Sequence, residues 1–196
     1  MGDSVQRCRW VPPDDALYCA YHDTEWGFPV AEDTRLFEKL CLEGFQAGLS
    51  WRTVLGKREA FRERFAGFAI DAVATLGPDD VAAMLADSRI IRHRGKITAA
   101  ISNAGIAAAL REEFGSLGAY VWGFAPDPPA RADPHRVSSP EATALSNDLR
   151  RRGWRFLGPT SSYAFMQSVG LVNDHEPACF VHAQVAAARA GFQVPA

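Results

Sequence analysis

Helix-start and helix-stop residues punctuate this 196-residue chain from one end to the other, whereas the alternating apolar–polar runs that mark strands are weak. Asp33 and Thr34 are placed to cap a helix carrying Leu36, Phe37, Leu40 and Cys41 at helical spacing. Arg52 to Phe65 reads as a second helix. Gly77-Pro78 opens a third, with Pro78 in its first turn and Val81, Met84 and Leu85 on the apolar face. Lys96 to Phe114 reads as a long alanine-rich helix stopped by Gly115. The prolines of PDPPARADPHRVSSP (126–140) forbid regular structure, so this segment is expected to be a surface loop. After it, Ser138 and Glu141 form a capping-box pattern with Pro140 in the first turn, ahead of Ala142, Leu145 and Leu149; Gly153 stops that helix. Thr160 to Val169, stopped by Gly170, reads as another, and AGFQVPA (190–196) is expected to be loose. The expectation is an all-α chain, one domain over 1–196, built from about seven or eight short helices.

Charge narrows the partners. The net charge is −2, which argues against a protein that coats a polyanion over its whole surface; a local basic patch is still compatible with it. Of the 21 lysines and arginines only Lys39, Lys57 and Lys96 are lysine. Arginine suits bidentate phosphate contacts, though such a bias also arises from composition alone. No apolar run approaches the length of a membrane span, and MGDSVQRCRWVPPDD is too polar for a signal peptide. Gln6 stands where a myristoylation signal wants Ser or Thr. A cytoplasmic chain with no membrane partner is the expectation, and in that compartment the four cysteines at 8, 19, 41 and 179 are thiols or metal ligands rather than disulfides.

Three groups of residues are candidates for chemistry. Cys8 and His22 lie near one end; His175 and Cys179, four apart and so on one face if helical, lie near the other. Two thiolates and two imidazoles suit tetrahedral zinc with no open position, a structural site that would clamp the two ends. Cys19 and His182 are alternative ligands, and four unrelated buried residues are the competing reading. Pro177 fits a helix there only in its first turn, capped by Asn173 or Asp174. Second, Glu43 falls on a stripe with Leu36, Leu40 and Ala47. A carboxylate there either marks the edge of the stripe or faces a pocket. Trp10, Tyr18, Tyr21 and Trp51 gather near it in sequence, as stacking walls for a flat ring or as ordinary core. Third, DSRIIRHRGKI (87–97) puts Arg89, Arg92, Arg94 and Lys96 in a turn entering a helix, where free backbone N–H groups favour phosphate; a solvated basic turn is the alternative.

Taken together, RCRWV (7–11), LYCAYHDTEWGFP (17–29), LFEKLCLEGFQAGLSW (36–51), IIRHRGKI (90–97) and SYAFMQSVGLVNDH (162–175) resemble the 3-methyladenine DNA glycosylase I family, a branch of the helix-hairpin-helix DNA glycosylases. The resemblance implies a helix-hairpin-helix glycosylase-like helical bundle, one structural Zn2+ at Cys8, His22, His175 and Cys179, and excision of 3-methyladenine from alkylated double-stranded DNA by a monomer. By motif, Glu43 and Tyr21 are similar to the residues that hydrogen-bond the adenine edge. Trp51 resembles the ring that stacks on the base, Trp10 and Tyr18 resemble further pocket wall, and IIRHRGKI resembles the hairpin that grips phosphate. The chain departs from the pattern at Arg89, where the hairpin turn often has glycine, and at Glu176-Pro177-Ala178 between the last two ligands.

The implied reaction is straightforward. Methylation at N3 makes adenine a cation and a good leaving group. The hairpin holds the backbone while the damaged nucleotide swings into the aromatic slot, at a cost of a few kcal/mol that is smaller for a damaged base. Glu43 accepts from the exocyclic amine and its charge favours the cationic lesion. Water then attacks the sugar carbon, leaving an abasic site and free 3-methyladenine. No Asp follows the hairpin as a water-orienting carboxylate, and the resemblance implies that this branch works without one. Rival readings are a bifunctional glycosylase/lyase using Lys96 as a Schiff-base amine, a non-catalytic zinc-stabilised DNA-binding module, and a binder of small cationic purines. Gly48-Leu49 is a candidate wedge into the vacated duplex.

Overall fold

The computed structural model describes residues 5–127, 133 and 135–195. Among them there are eleven α-helices, one short 3-10 turn and no strand. No described helix is long and apolar enough to cross a membrane. The all-α expectation holds; the helices are more numerous and shorter than periodicity suggested.

The order is α1 (Ala16–Thr24), α2 (Asp33–Gln46), α3 (Trp51–Leu55), α4 (Arg58–Arg64), α5 (Ile70–Ala74), α6 (Pro78–Ala86), α7 (Arg94–Phe114), α8 (Leu117–Trp122), α9 (Pro140–Arg151), α10 (Pro159–Ser168) and α11 (His182–Ala190). The span read as one helix from Arg52 to Phe65 is two, α3 and α4, because the chain turns at Gly56-Lys57. The cap of α2 is Glu32, whose carboxylate accepts from the Thr34 and Arg35 N–H groups, while Asp33 accepts from the Gly118 N–H instead. Likewise Ser139, not Ser138, caps α9 by accepting from Ala142 N–H. α7 begins two residues before Lys96, capped by the His93 ring nitrogen.

α2 is the central element. It packs on α3, α7, α8 and α10, while α7 also packs on α5 and α6. Ten residues in succession, Leu36 to Phe45, are buried, so the helix has no solvent face over nearly three turns. Around it a cluster of phenylalanines closes the core: Phe45 lies 4.4 Å from Phe61 between ring centroids, and Phe65 stacks on Phe68 at 5.5 Å. Burying charged residues within such a helix requires partners. Glu38 accepts from Arg62 at 2.9 and 3.1 Å, and Lys39 lies 3.8 Å from Glu25, which is itself held by a two-pronged Arg58 at 2.7 and 2.9 Å. Glu43 is the exception, with no hydrogen bond from any described residue.

A second, smaller cluster joins the chain's two ends: Cys8, Val11, Tyr21 and Trp26 from the start pack with Cys179, Val181 and Val185 from the finish. The described part of 126–140 has no regular structure up to the start of α9. The closing segment is less loose than expected. Ala190 ends α11, and the Phe192 ring lies 4.4 Å from that of Trp122.

One backbone crossing sets the distance between α10 and the WGFP segment. Gly170, at φ +80, ends α10, and a Cβ there would lie 2.6 Å from Pro29 N and 2.7 Å from Gly27 O. Val30 N–H donates to Val169 O beside it. Both the positive φ and the space exclude a side chain. Gly170→Ala is therefore expected to destabilise the fold by about 3 kcal/mol or more, read as a lower midpoint in urea unfolding.

Candidate active site and metal centre

The cavity that collects the predicted residues lies between α1, α2, α3 and α10. It has a volume of about 270 Å3, and its walls include Trp10, Tyr18, Tyr21, Trp26, Glu43 and Trp51. Tyr18 and Tyr21 are three apart on α1 and so share a face. The helix is held in register by Asp15, whose carboxylate accepts from Tyr18 N–H. Trp51 is placed by Ser50, whose hydroxyl caps α3 by accepting from Thr53 N–H. The Trp51 and Tyr21 rings meet at 5.3 Å with an interplanar angle of 48°. Trp10 stands edge-on to Tyr18 at 5.4 Å and to Trp26 at 5.0 Å. The indole N–H of Trp51 is buried without an acceptor among the described residues, a donor left for whatever enters.

Glu43 is 4% exposed and opens onto this cavity. Burial pushes its pKa up to about 8, opposed in part by Lys39 one turn earlier on α2. The Lys39 ammonium is buried too, which pulls its pKa down to about 8 against the pull of Glu25, and it sits 4.9 Å from the Tyr21 ring centre. Burial, and then the Glu43 charge, raise the Tyr21 pKa well above its usual value, so its hydroxyl remains a hydrogen-bond donor. The chemistry on offer is a carboxyl group and a phenol side by side, framed by flat rings, with spare capacity for a donor or a cation.

Sequence reasoning brought five of these residues together and missed others. Gln46, three beyond Glu43 on the same face of α2, carried a readable signal. Trp26 lay within a quoted motif without a role. Gln167 and Asp174 reach the cavity only through the packing of α10 and the turn after it, and Arg136 only through the irregular segment before α9; nothing local announced them. A larger groove of about 510 Å3, bordered by Leu76, Pro78, Val81 and Ile101, lies apart from these residues; its polar side chains are Arg94, Thr98 and Ser102, and it carries neither a carboxyl group nor an aromatic ring.

The basic turn is arranged differently from expectation. Arg92 and Arg94 are exposed. Arg89, expected at phosphate, is engaged by Asp87 at 2.9 Å and Glu63 at 2.6 Å. Lys96 points inward: it is 8% exposed, and its ammonium donates to Phe45 O at 2.9 Å and Ala47 O at 2.6 Å, at the end of α2. It therefore caps the carboxyl end of that helix, and is neither a phosphate contact nor a free amine for a Schiff base. Leu49 is 43% exposed on the α2–α3 connection.

Cys8, His22, His175 and Cys179 are all buried, and their ligand atoms lie within 4.8 Å of one another. Cys8 Sγ and Cys179 Sγ are 3.5 and 3.6 Å from His175 Nδ1, and Cys179 Sγ is 3.5 Å from His22 Nε2. The outer ring nitrogens are oriented by Asp23 Oδ1 at 2.7 Å and Trp26 O at 2.9 Å, as imidazoles that bind metals usually are. Such a group could hold a metal ion. The stretch between His175 and Cys179 is a set of turns rather than a helix; α11 begins only at His182, and the turn achieves the convergence the helical reading assigned to one face. The alternatives lie outside the group: the Cys19 thiol donates to Pro12 O, and His182 opens α11.

The fold and the site define a member of the methyladenine glycosylase family. The model of that family matches residues 10–182, and the chain belongs to it. Over 180 residues it is 45% identical to DNA-3-methyladenine glycosylase 1 of Escherichia coli strain K12, covering 89% of this chain and 96% of that protein. It superposes with a TM-score of 0.84 and 48% identity on the crystal structure of a 3-methyladenine DNA glycosylase I, covering 90% of this chain and all of that one. The Staphylococcus aureus 3-methyladenine DNA glycosylase I, solved to explain 3-methyladenine recognition, also superposes at 0.84, with 31% identity over 89% of this chain and 95% of that one.

The raised pKa of Glu43 makes the empty cavity a pH-dependent weakness. In the unfolded chain this carboxyl ionises near its ordinary value of 4.5, in the folded chain near 8. The stability it contributes is present below the lower value and lost as pH rises through the upper one. Glu43→Gln is therefore expected to melt close to the unsubstituted protein near pH 5 and to be more stable by up to a few kcal/mol at about pH 8.5, in thermal melts without DNA.

Proposed function

We propose that this chain removes 3-methyladenine from alkylated duplex DNA by hydrolysing its N-glycosidic bond, leaving an abasic site for base excision repair. The observation that carries the reading is Glu43: a buried carboxyl with no hydrogen-bond partner among the described residues, set among aromatic rings, in a chain of the methyladenine glycosylase family. The damaged nucleotide turns out of the duplex into the 270 Å3 cavity, where Trp51 stacks on the purine and Trp10 and Tyr18 close the sides. Stacking returns roughly 1–3 kcal/mol, comparable with the cost of extrusion. Glu43 accepts from the exocyclic amine and Tyr21 donates to a ring nitrogen. As the cationic purine arrives, its charge opposes the effect of burial and favours the Glu43 carboxylate. A neutral purine gives no such return, so discrimination and charge compensation are the same event. Water attacks the sugar carbon as the C–N bond breaks and the electron pair leaves on the purine.

On the DNA side, α6, the turn 87–93 and α7 serve as a helix-hairpin-helix grip in which Arg92, Arg94 and the first N–H groups of α7 meet phosphate. Arg89, fixed by Asp87 and Glu63, shapes the turn. With Lys96 committed to two carbonyls, a lyase step has no accessible amine there.

The Cys8–His22–His175–Cys179 group fits zinc. A tetrahedral ion with Zn–S of about 2.3 Å and Zn–N of about 2.05 Å places neighbouring sulfur and nitrogen donors ~3.6 Å apart; three sulfur–nitrogen separations here are 3.5–3.6 Å, and all the donor atoms lie within 4.8 Å of one another. Burial, reinforced by the neighbouring Cys179 and the Glu176 charge, raises the Cys8 thiol pKa, so a thiolate there requires a cation. Four protein donors leave no open position, and the ion's contribution is structural. His22 and His175 hold it from α1 and from the turn after α10, which fixes neighbouring Tyr21 and Asp174 at the cavity wall.

Two measurements test this. Incubating methylated DNA with the protein and identifying the released base by chromatography is expected to give 3-methyladenine. Glu43→Gln is expected to lower that rate by about 100-fold or more with an unchanged far-ultraviolet spectrum. Release of no base by the unsubstituted chain would reject the reading. Metal analysis is expected to find one zinc per chain, and its removal by a chelator to lower the melting temperature markedly, since binding energy there is folding energy.

A further inference from the structure

The cavity that reads the base also carries a charge that a cationic purine does not call for. Arg136 is the one cationic side chain among its described walls, and it approaches from the irregular segment ahead of α9. That segment is tied to the cavity rather than adrift. Asp133 N–H donates to Asp174 Oδ1 at 3.1 Å, and Arg136 N–H donates to Asp133 O at 3.0 Å in the turn that follows. Asp174 itself is 3% exposed and satisfied by others: its second oxygen accepts from the Tyr163 hydroxyl at 2.6 Å and from Gln167 Nε2 at 2.9 Å. No hydrogen bond from Arg136 reaches it. The nearest carboxylate to the guanidinium is Asp133, at 3.9 Å from Nε. At that distance the pair is a loose ion pair; the guanidinium also lies against the Tyr163 hydroxyl, and no described carboxylate grips its donor fork.

Position completes the picture. The Arg136 side chain is 32% exposed, whereas Glu43, Tyr21 and Asp174 are buried, so the guanidinium marks the outer part of the cavity and the carboxyl and phenol its inner part. A nucleotide that enters base-first leaves its sugar at that outer part and brings phosphodiesters to the rim. A guanidinium is repelled by the purine cation and attracted by a phosphodiester, for which its planar fork is well matched. From this juxtaposition we infer that Arg136 binds a backbone phosphate flanking the extruded nucleotide, a second DNA contact besides the α6–α7 turn. It holds the sugar at the rim while Glu43 reads the base. The inference rests on the glycosylase reading and adds to it a phosphate subsite.

The test uses a duplex carrying a tetrahydrofuran abasic site, with binding followed by fluorescence anisotropy over a salt series. Each phosphate neutralised contributes about 0.9 to the slope of log affinity against log salt. Arg136→Gln is expected to bind roughly tenfold more weakly at about 0.1 M salt, with the slope reduced in magnitude by about 0.9, and Arg136→Lys to keep the slope. A neutral methylphosphonate placed 5′ or 3′ of the abasic site identifies the phosphate: it weakens the unsubstituted protein at one of the two positions and leaves Arg136→Gln indifferent there. A glutamine variant that keeps the original slope, or remains as sensitive as the unsubstituted protein to both methylphosphonates, overturns the inference. If that happens while the unsubstituted protein still releases 3-methyladenine, the subsite alone falls; if no base is released at all, the glycosylase reading falls first.

Discussion

A single unpaired carboxyl group governs the site. α2 is buried on every side across nearly three turns and carries three charged residues in that stretch. Glu38 and Lys39 are neutralised by Arg62 and by the Glu25–Arg58 pair, the usual condition for charge in an interior. Glu43 is not, and a group in that state shifts its proton affinity until something compensates it. Indole and phenol rings rather than cations surround it, and the proposed ligand, a flat, positively charged ring with an amine at its edge, matches both the charge and the surfaces.

The remaining architecture fixes what faces that carboxyl. Tyr21 and His22 are neighbours on α1, and Asp174 and His175 are neighbours after α10, so the cluster that gathers the chain's two ends also sets the cavity's walls. Gly170 allows the α10 terminus to lie against the WGFP segment, which brings Trp26 within 4.6 Å of His175, ring to ring. Packing residues, metal-capable donors and cavity-lining side chains are consecutive residues of the same few turns. They form one unit, and a change to any of them is expected to be felt by the others.

Much of this was legible in the residues themselves. The helical class and the stops at Gly115, Gly153 and Gly170 follow from spacing, whereas the convergence of Cys8, His22, His175 and Cys179 and the placement of Glu43 in a pocket are left open by spacing and are implied by the family resemblance. What could not be read came from tertiary contact. The break at Gly56-Lys57 interrupts a pattern that is locally helical. Glu32 displaces Asp33 as a cap because Asp33 is drawn to Gly118, 85 residues away. Lys96 looks like a surface cation in a basic turn and is instead captured by carbonyls 49 and 51 residues earlier. Short helices such as α5 and α8 have too few residues for a period to emerge and exist because α7 packs on both.

That captured ammonium has a mechanical meaning. It stitches the first turn of α7 to the last turn of α2, so the proposed backbone grip and the proposed base slot are joined by one short, buried strut. The gap between them is set before any duplex arrives. On the proposed roles, a fixed gauge of this kind leaves the nucleic acid to deform to fit it, and sites already weakened by a lesion yield most readily.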